Sequence, residues 1–236
     1  MQLTVTGIGA ILALLTMVLF SGFRIPEARK RNGAELSTGD VLNAAGFGLL
    51  PGIAVWKVFE RKTLLGTGVA RFEPIGEIPV IIANGRFAVS RVEMILAAAC
   101  FAAIILWLCL RKDELPGNGD LLLTVVCVWG LTRAFTEGLR EETLLRAGNV
   151  NLTQILLLLA ADIPLAVWTV RLEAAQKNTA ASVLEWIAVL SCEAVLVLNT
   201  ADVLSAGSRI GDLAVNAGCV TLCMLLSLPA GKDSRS

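Results

Sequence analysis

The sequence predicts an all-α fold, a polytopic transmembrane bundle of about seven helices with the N-terminus outside and the C-terminus inside. Three observations point there. Of 236 residues, 56% are hydrophobic and only 17% charged, where soluble domains carry about a quarter. Mean hydropathy is +0.73. Apolar stretches near 20 residues, the length that crosses a hydrocarbon core of ~30 Å, recur along the whole chain. The 20 basic and 20 acidic residues cancel, so no electrostatic footprint for nucleic acid exists. Histidine is absent, which excludes His-based acid–base chemistry and His-ligated metals. The six cysteines (Cys100, Cys109, Cys127, Cys192, Cys219 and Cys223) all fall inside apolar runs. Disulfide frameworks and zinc sites need paired spacings in loops, so these read as small packing residues. Neither a metal nor a cofactor is predicted.

The spans run 4–22, 39–59, 91–110, 120–140, 152–170, 183–204 and 210–228. The first has its basic residues (Arg24, Arg29, Lys30, Arg31) after the apolar run, the reverse of a signal peptide, and is read as a retained anchor. The alternate loops carry Arg24 to Arg31, then Arg111 and Lys112, then Arg171 and Lys177, and finally Lys232 and Arg235. Positive charge marks the cytoplasmic side, which sets the orientation. The loop 60–90 falls outside in this scheme although it holds Arg61, Lys62, Arg71 and Arg86. Its glycines, prolines and β-branched residues (Ile78, Val80, Ile81, Ile82) predict a small hairpin or interfacial flap. Without repeats or low-complexity tracts, residues 1–236 read as one integral membrane domain.

Charges inside the spans carry the functional signal. Gly117, Asn118, Gly119 and Asp120 break the apolar pattern, so the fourth span starts after Asp120. At 1.5 Å per residue it reaches the far boundary near Arg140, with Arg133 roughly 10 Å below that surface. Arg133, Glu137 and Arg140 are spaced i, i+4, i+7, which predicts one shared helix face. Asp162, Glu193 and Asp202 sit in later spans, while Arg209, Asp212 and Asn216 open the last one. An ionised side chain at the bilayer centre costs about 2.5–3.5 kcal/mol on insertion scales and is normally paired. Arg133 is therefore expected to pair with Asp162 or Glu193 inside a polar cavity. The bland alternative is that these charges are glue between helices, with Arg140 reaching to the interface. Glu141, Glu142 and Arg146 read as a solvated helix end.

The run Trp129-Gly130-Leu131-Thr132-Arg133-Ala134-Phe135-Thr136-Glu137-Gly138-Leu139-Arg140-Glu141-Glu142 resembles the C-terminal signature of the prolipoprotein diacylglyceryl transferase family, Tyr-Gly-x-x-Arg-Phe-x-x-Glu-x-x-Arg. Upstream, Val92-Glu93, an apolar span, Arg111-Lys112 and Pro116-Gly117 are similar to the family's Tyr-Glu, span, basic turn and Pro-Gly. Downstream, Asn151-Leu152-Thr153-Gln154 opens a helix as the family's Ser-x-Gly-Gln does. A weaker likeness covers residues 5 to 60, through Thr6-Gly7, the basic turn, Leu36-Ser37-Thr38-Gly39-Asp40 and Pro51-Gly52. The family's His-Gly-Gly and Gly-Arg-x-Gly-Asn-Phe motifs have no counterpart, and the helices over 183–228 are unassigned.

The resemblance implies a seven-helix protein of the bacterial plasma membrane that transfers a diacylglyceryl group from phosphatidylglycerol to a prolipoprotein cysteine. It implies catalytic roles for Arg133 and Glu137 and phosphate binding by Arg133 and Arg140. A guanidinium suits phosphate because it is planar, bidentate and always charged. Glu93 and Gln154 would support them, as would the buried acids Asp162 and Glu193. With the family's histidine unmatched, the base for the thiol is unassigned. The alternatives are a derivative that binds anionic phospholipid or a membrane partner without turnover, and a small transporter relaying protons through Asp162, Glu193 and Asp202.

Overall fold

The structure, a computed structural model, describes residues 11–12, 14–19, 37–59, 82–83, 86–110, 119–140, 145–176 and 179–227. Helices dominate it: α1 (Thr38–Phe59), α2 (Val89–Leu110), α3 (Asp120–Gly138), α4 (Leu152–Gln176), α5 (Thr179–Thr200) and α6 (Arg209–Ser227). Five of them, α2 to α6, are long and apolar enough to cross a membrane, as a multi-pass membrane protein requires. The expected second to seventh spans thus appear as helices. The first lies mostly outside the described residues, of which 11–12 and 14–19 are helical.

The expected hairpin is present between α1 and α2. Strand β1 (Ile82–Ala83) pairs antiparallel with β2 (Arg86–Phe87), Ile82 opposite Phe87; residues 60–81 lie outside the described set. A second two-stranded ribbon joins α3 to α4, with β3 (Arg146–Ala147) against β4 (Val150–Asn151). Gly148 takes φ 61 in its two-residue turn, a left-handed conformation that glycine adopts without a Cβ penalty. Arg146 is therefore exposed on a strand, its Nε donating to the Gly148 carbonyl at 2.9 Å. It does not continue the preceding helix; Glu141 and Glu142 lie outside the described residues.

The chain divides into two compact units, Met1–Val126 and Cys127–Ser236, with the boundary inside α3. In the first, the capping box of α1 is built by Asp40, whose Oδ2 accepts both the Ser37 N–H and the Ser37 hydroxyl at 2.8 Å. Asn43 of α1 reaches the start of α3, where its Oδ1 accepts the Leu121 N–H at 2.9 Å. That satisfies a donor the helix start leaves open. Gly46 lies so close to α3 that an added Cβ would sit 2.6 Å from the Leu122 Cα. Phe47 of α1 meets Phe101 of α2 edge to face, ring centroids 5.3 Å apart.

In the second unit, α4 carries an apolar stripe outside and a mixed face inside. Leu152, Leu156, Leu159, Ile163 and Val170 form its exposed stripe, while Gln154, Leu158, Ala161 and Trp168 are buried. An apolar outer stripe suits hydrocarbon, which solvates leucine as well as a core does. Trp186 of α5 donates to Thr169 of α4 at 3.1 Å. Helix α5 ends in a Schellman turn: Asp202 holds φ 59, Val203 N–H bonds the Leu198 carbonyl and Asp202 N–H that of Asn199. Asn199 then ties α5 to α6 by donating to Asn216 Oδ1 at 3.0 Å and to the Asp212 carbonyl at 3.2 Å. Ser208 caps α6 through the Gly211 N–H.

The glycine contacts generate a paired prediction. Gly46→Ala should lower the unfolding free energy in detergent by about 1–3 kcal/mol, the range for overpacking a close crossing. Gly218→Ala on α6, where an added Cβ meets nothing within 4 Å, should leave it unchanged or raised by up to ~1 kcal/mol from helix propensity. The measurement is a denaturing-detergent titration of each variant followed by circular dichroism.

Candidate functional site

The last two turns of α3 present different chemistry on two faces. Gly130, Ala134 and Gly138 recur at intervals of four and form a strip without bulk. A Cβ on Gly130 would lie 3.0 Å from the Ala161 Cβ, and one on Gly138 2.8 Å from Gln154 Nε2 and 2.9 Å from Thr200 Oγ1. This strip lets α3 press against α4 and the end of α5. Arg133 and Glu137, one turn apart, lie off it.

Arg140 departs from expectation. Helix α3 stops at Gly138, so Arg140 does not share its face by helical spacing. The chain instead tightens, Leu139 N–H bonding the Thr136 carbonyl and Arg140 N–H the Glu137 carbonyl, both at 3.2 Å. This 3₁₀-type turn brings Arg140 back. Its Nε stands 3.4 Å from Glu137 Oε2, and Arg133 Nη2 stands 2.9 Å from the same oxygen. The Glu137 side chain is 3% exposed, Arg140 11% and Arg133 20%. One buried carboxylate thus faces two guanidinium groups at ion-pair distance, while Glu137 Oε2 and Arg140 Nε make no hydrogen bond among the described residues.

Arg133 was expected to pair with Asp162 or Glu193; its ion pair runs instead to Glu137 on its own helix. An i, i+4 partner is already within reach when the helix forms, whereas a cross-helix partner depends on packing. Asp162 and Glu193, from α4 and α5, are instead neighbours of each other. Glu193 is 8% exposed and its Oε1 has no hydrogen-bond partner. Asp202, placed in a proton relay by the transporter reading, is exposed in the turn after α5. Glu93 is fully buried in α2, within the other compact unit.

Gln154 is fully buried, and its Nε2 donates to the Ala134 carbonyl at 3.1 Å and to Thr200 Oγ1 at 3.2 Å. Sequence reasoning did not assign Asn151 or Thr200 to this neighbourhood. Asn151 caps α4, its Oδ1 accepting the Gln154 N–H at 3.1 Å, while its Nδ2 donates to the Glu137 carbonyl at 3.3 Å. An asparagine three residues before Gln154 was a legible cap signal; the reach back to α3 was not. Asn151 is buried in these contacts.

Compared with known protein families, curated proteins and solved structures, the chain matches none. The geometry therefore has to stand by itself, and it makes a direct prediction. Glu137→Gln leaves two mostly buried guanidinium groups without their shared counter-charge. It should lower the unfolding free energy by about 1.5–3 kcal/mol, the worth of a charge-assisted contact, as measured by the same detergent titration. A loss no larger than that of an exposed control such as Arg146→Gln would contradict the anchoring role.

Proposed function

We propose that this chain is a multi-pass protein of the bacterial plasma membrane that binds the phosphate of phosphatidylglycerol through Arg133 and Arg140 and transfers its diacylglyceryl group to a lipoprotein cysteine. The observation that carries the reading is the pair of guanidinium groups held by one carboxylate, Arg133 Nη2 at 2.9 Å and Arg140 Nε at 3.4 Å from Glu137 Oε2. Its residues are those that resemble the diacylglyceryl transferase signature. With seven spans and the N-terminus outside, this end of α3 faces the outer leaflet.

In the proposed reaction the cysteine sulfur attacks the glyceryl carbon that bears the phosphate ester. The carbon–oxygen bond breaks and glycerol phosphate leaves with the bonding electrons, so negative charge grows on the phosphate oxygen. Fixed guanidinium donors stabilise that charge more than they stabilise the ground state. Glu137 keeps them oriented, so binding does not spend entropy on ordering two long side chains. The thiol proton passes to a base that the sequence leaves unassigned.

A second reading has its own observation. The chain has no histidine and lacks the family's His-Gly-Gly and Gly-Arg-x-Gly-Asn-Phe motifs. A derivative that holds anionic phospholipid, or a membrane partner, without turnover would keep the arginines and lose those motifs.

One experiment separates the readings. The purified chain, in nanodiscs, is given labelled phosphatidylglycerol and a lipobox peptide, with Arg133→Ala alongside. Thioether product that falls at least about 100-fold in the variant, the scale of one lost oxyanion-type contact, supports the transferase. Retention of phosphatidylglycerol without product supports the binding derivative. Equal affinity for phosphatidylglycerol and phosphatidylcholine ends both.

A further inference from the structure

The anchor of the two arginines is itself anchored. The carboxylate of Glu137 lies at ion-pair distance from Arg133 and Arg140, and the backbone carbonyl of the same residue accepts the Asn151 amide at 3.3 Å. Both ends of that amide are used, since Oδ1 accepts the Gln154 N–H at 3.1 Å. A flipped amide would oppose oxygen to carbonyl and nitrogen to N–H, so the Asn151 orientation is set by its partners. One turn earlier, Gln154 holds the Ala134 carbonyl at 3.1 Å. Gly138, next after Glu137, is closed in by Gln154 and Thr200, so that an added Cβ would lie 2.8 Å from Gln154 Nε2 and 2.9 Å from Thr200 Oγ1. The final turn of α3 is thereby gripped at two carbonyls and packed at its end.

Helix capping alone does not call for this arrangement. Serine, threonine or aspartate at 151 would accept the Gln154 N–H equally well. Only asparagine adds a separate NH2 arm beside that acceptor, and it turns back to Glu137. Gln154 likewise is not needed for the cap, and its buried Oε1 is left without a hydrogen-bond partner, a cost that an apolar side chain at 154 would avoid.

Resting on the phosphate-binding reading above, we infer that Asn151 and Gln154 are positioning residues: their amides clamp the last turn of α3 and so fix the Glu137 carboxylate and both guanidinium groups at the spacing a phosphate requires. Neither residue touches the ligand. The effect runs through the Glu137 and Ala134 carbonyls to the side chains on the neighbouring face.

The test uses the full chain in nanodiscs and separates clamp from cap. Asn151→Ser keeps an Oγ acceptor for the Gln154 N–H and removes the donor to Glu137; Asn151→Ala removes both. Two quantities are read: affinity for phosphatidylglycerol against phosphatidylcholine, and the ¹⁵N guanidinium resonances of Arg133 and Arg140 in nanodiscs of phosphatidylcholine alone. For Asn151→Ser the expected result is an unfolding midpoint like the parent's, shifted guanidinium resonances, and about tenfold weaker phosphatidylglycerol binding, the loss of one hydrogen bond's worth of positioning. Gln154→Met, which conserves volume, should shift the same resonances. Parent-like resonances in both Asn151→Ser and Gln154→Met would overturn the clamp. If the parent itself shows no preference for phosphatidylglycerol, the binding reading fails, and the resonances still decide whether Asn151 and Gln154 position the arginines.

Discussion

A carboxylate shared between two guanidinium groups sets the terms for everything around the end of α3. Two unit charges about 4 Å apart attract by ~1 kcal/mol in water and ~4 kcal/mol at an effective dielectric of 20. Glu137 is almost fully buried and its partners mostly so, which puts the trio toward the stronger end of that range. The same burial makes each charge expensive without the others. Removing Glu137 would take a counter-charge from both guanidinium groups at once. The chain leaves the helix after Gly138 and tightens, and Arg140 meets Glu137 from that turn.

The surrounding packing follows from the same economy of polar groups in an apolar setting. Backbone carbonyls at a helix end have no water to bond within hydrocarbon and must find protein donors. Asn151 adds a donor at the Glu137 carbonyl and Gln154 one at the Ala134 carbonyl a turn earlier, while Asn199 bonds the Asp212 carbonyl in the first turn of α6. Small residues make these contacts reachable. Gly130, Ala134 and Gly138 remove bulk from the side of α3 that meets α4, so amide side chains of ordinary length span the gap. The outward faces need no such care: exposed leucines, isoleucines and valines on α4, α5 and α6 match what hydrocarbon solvates.

The acidic pair of Asp162 and Glu193 stands apart from this system. Each is near the middle of its helix, and each finds the other rather than an arginine. The orphaned Glu193 Oε1 shows that the packing around them does not supply every partner. The arginine trio is the opposite case, where oppositely charged groups lie within about two turns of the same chain.

By itself the sequence determined what depends on local order: apolar length, and spacing along one helix. Six of the expected spans appear as helices because roughly twenty apolar residues in hydrocarbon have no other way to satisfy their backbone. The hairpin over 82–87, the helix start at Asn151 and the closeness of Arg133 to Glu137 are local as well, and could be read. Tertiary structure alone decided which distant groups meet. The spacing rule that put Arg140 on the helix face assumed a helix two residues too long. The depth rule that put Arg133, Asp162 and Glu193 at one level gave no azimuth, so it could not distinguish an arginine–acid pair from two acids side by side. The reach of Asn151 and Gln154 to α3 depends on three small residues lining one face of that helix, and a crossing that close is a property of two packed surfaces, not of either strand of sequence read alone.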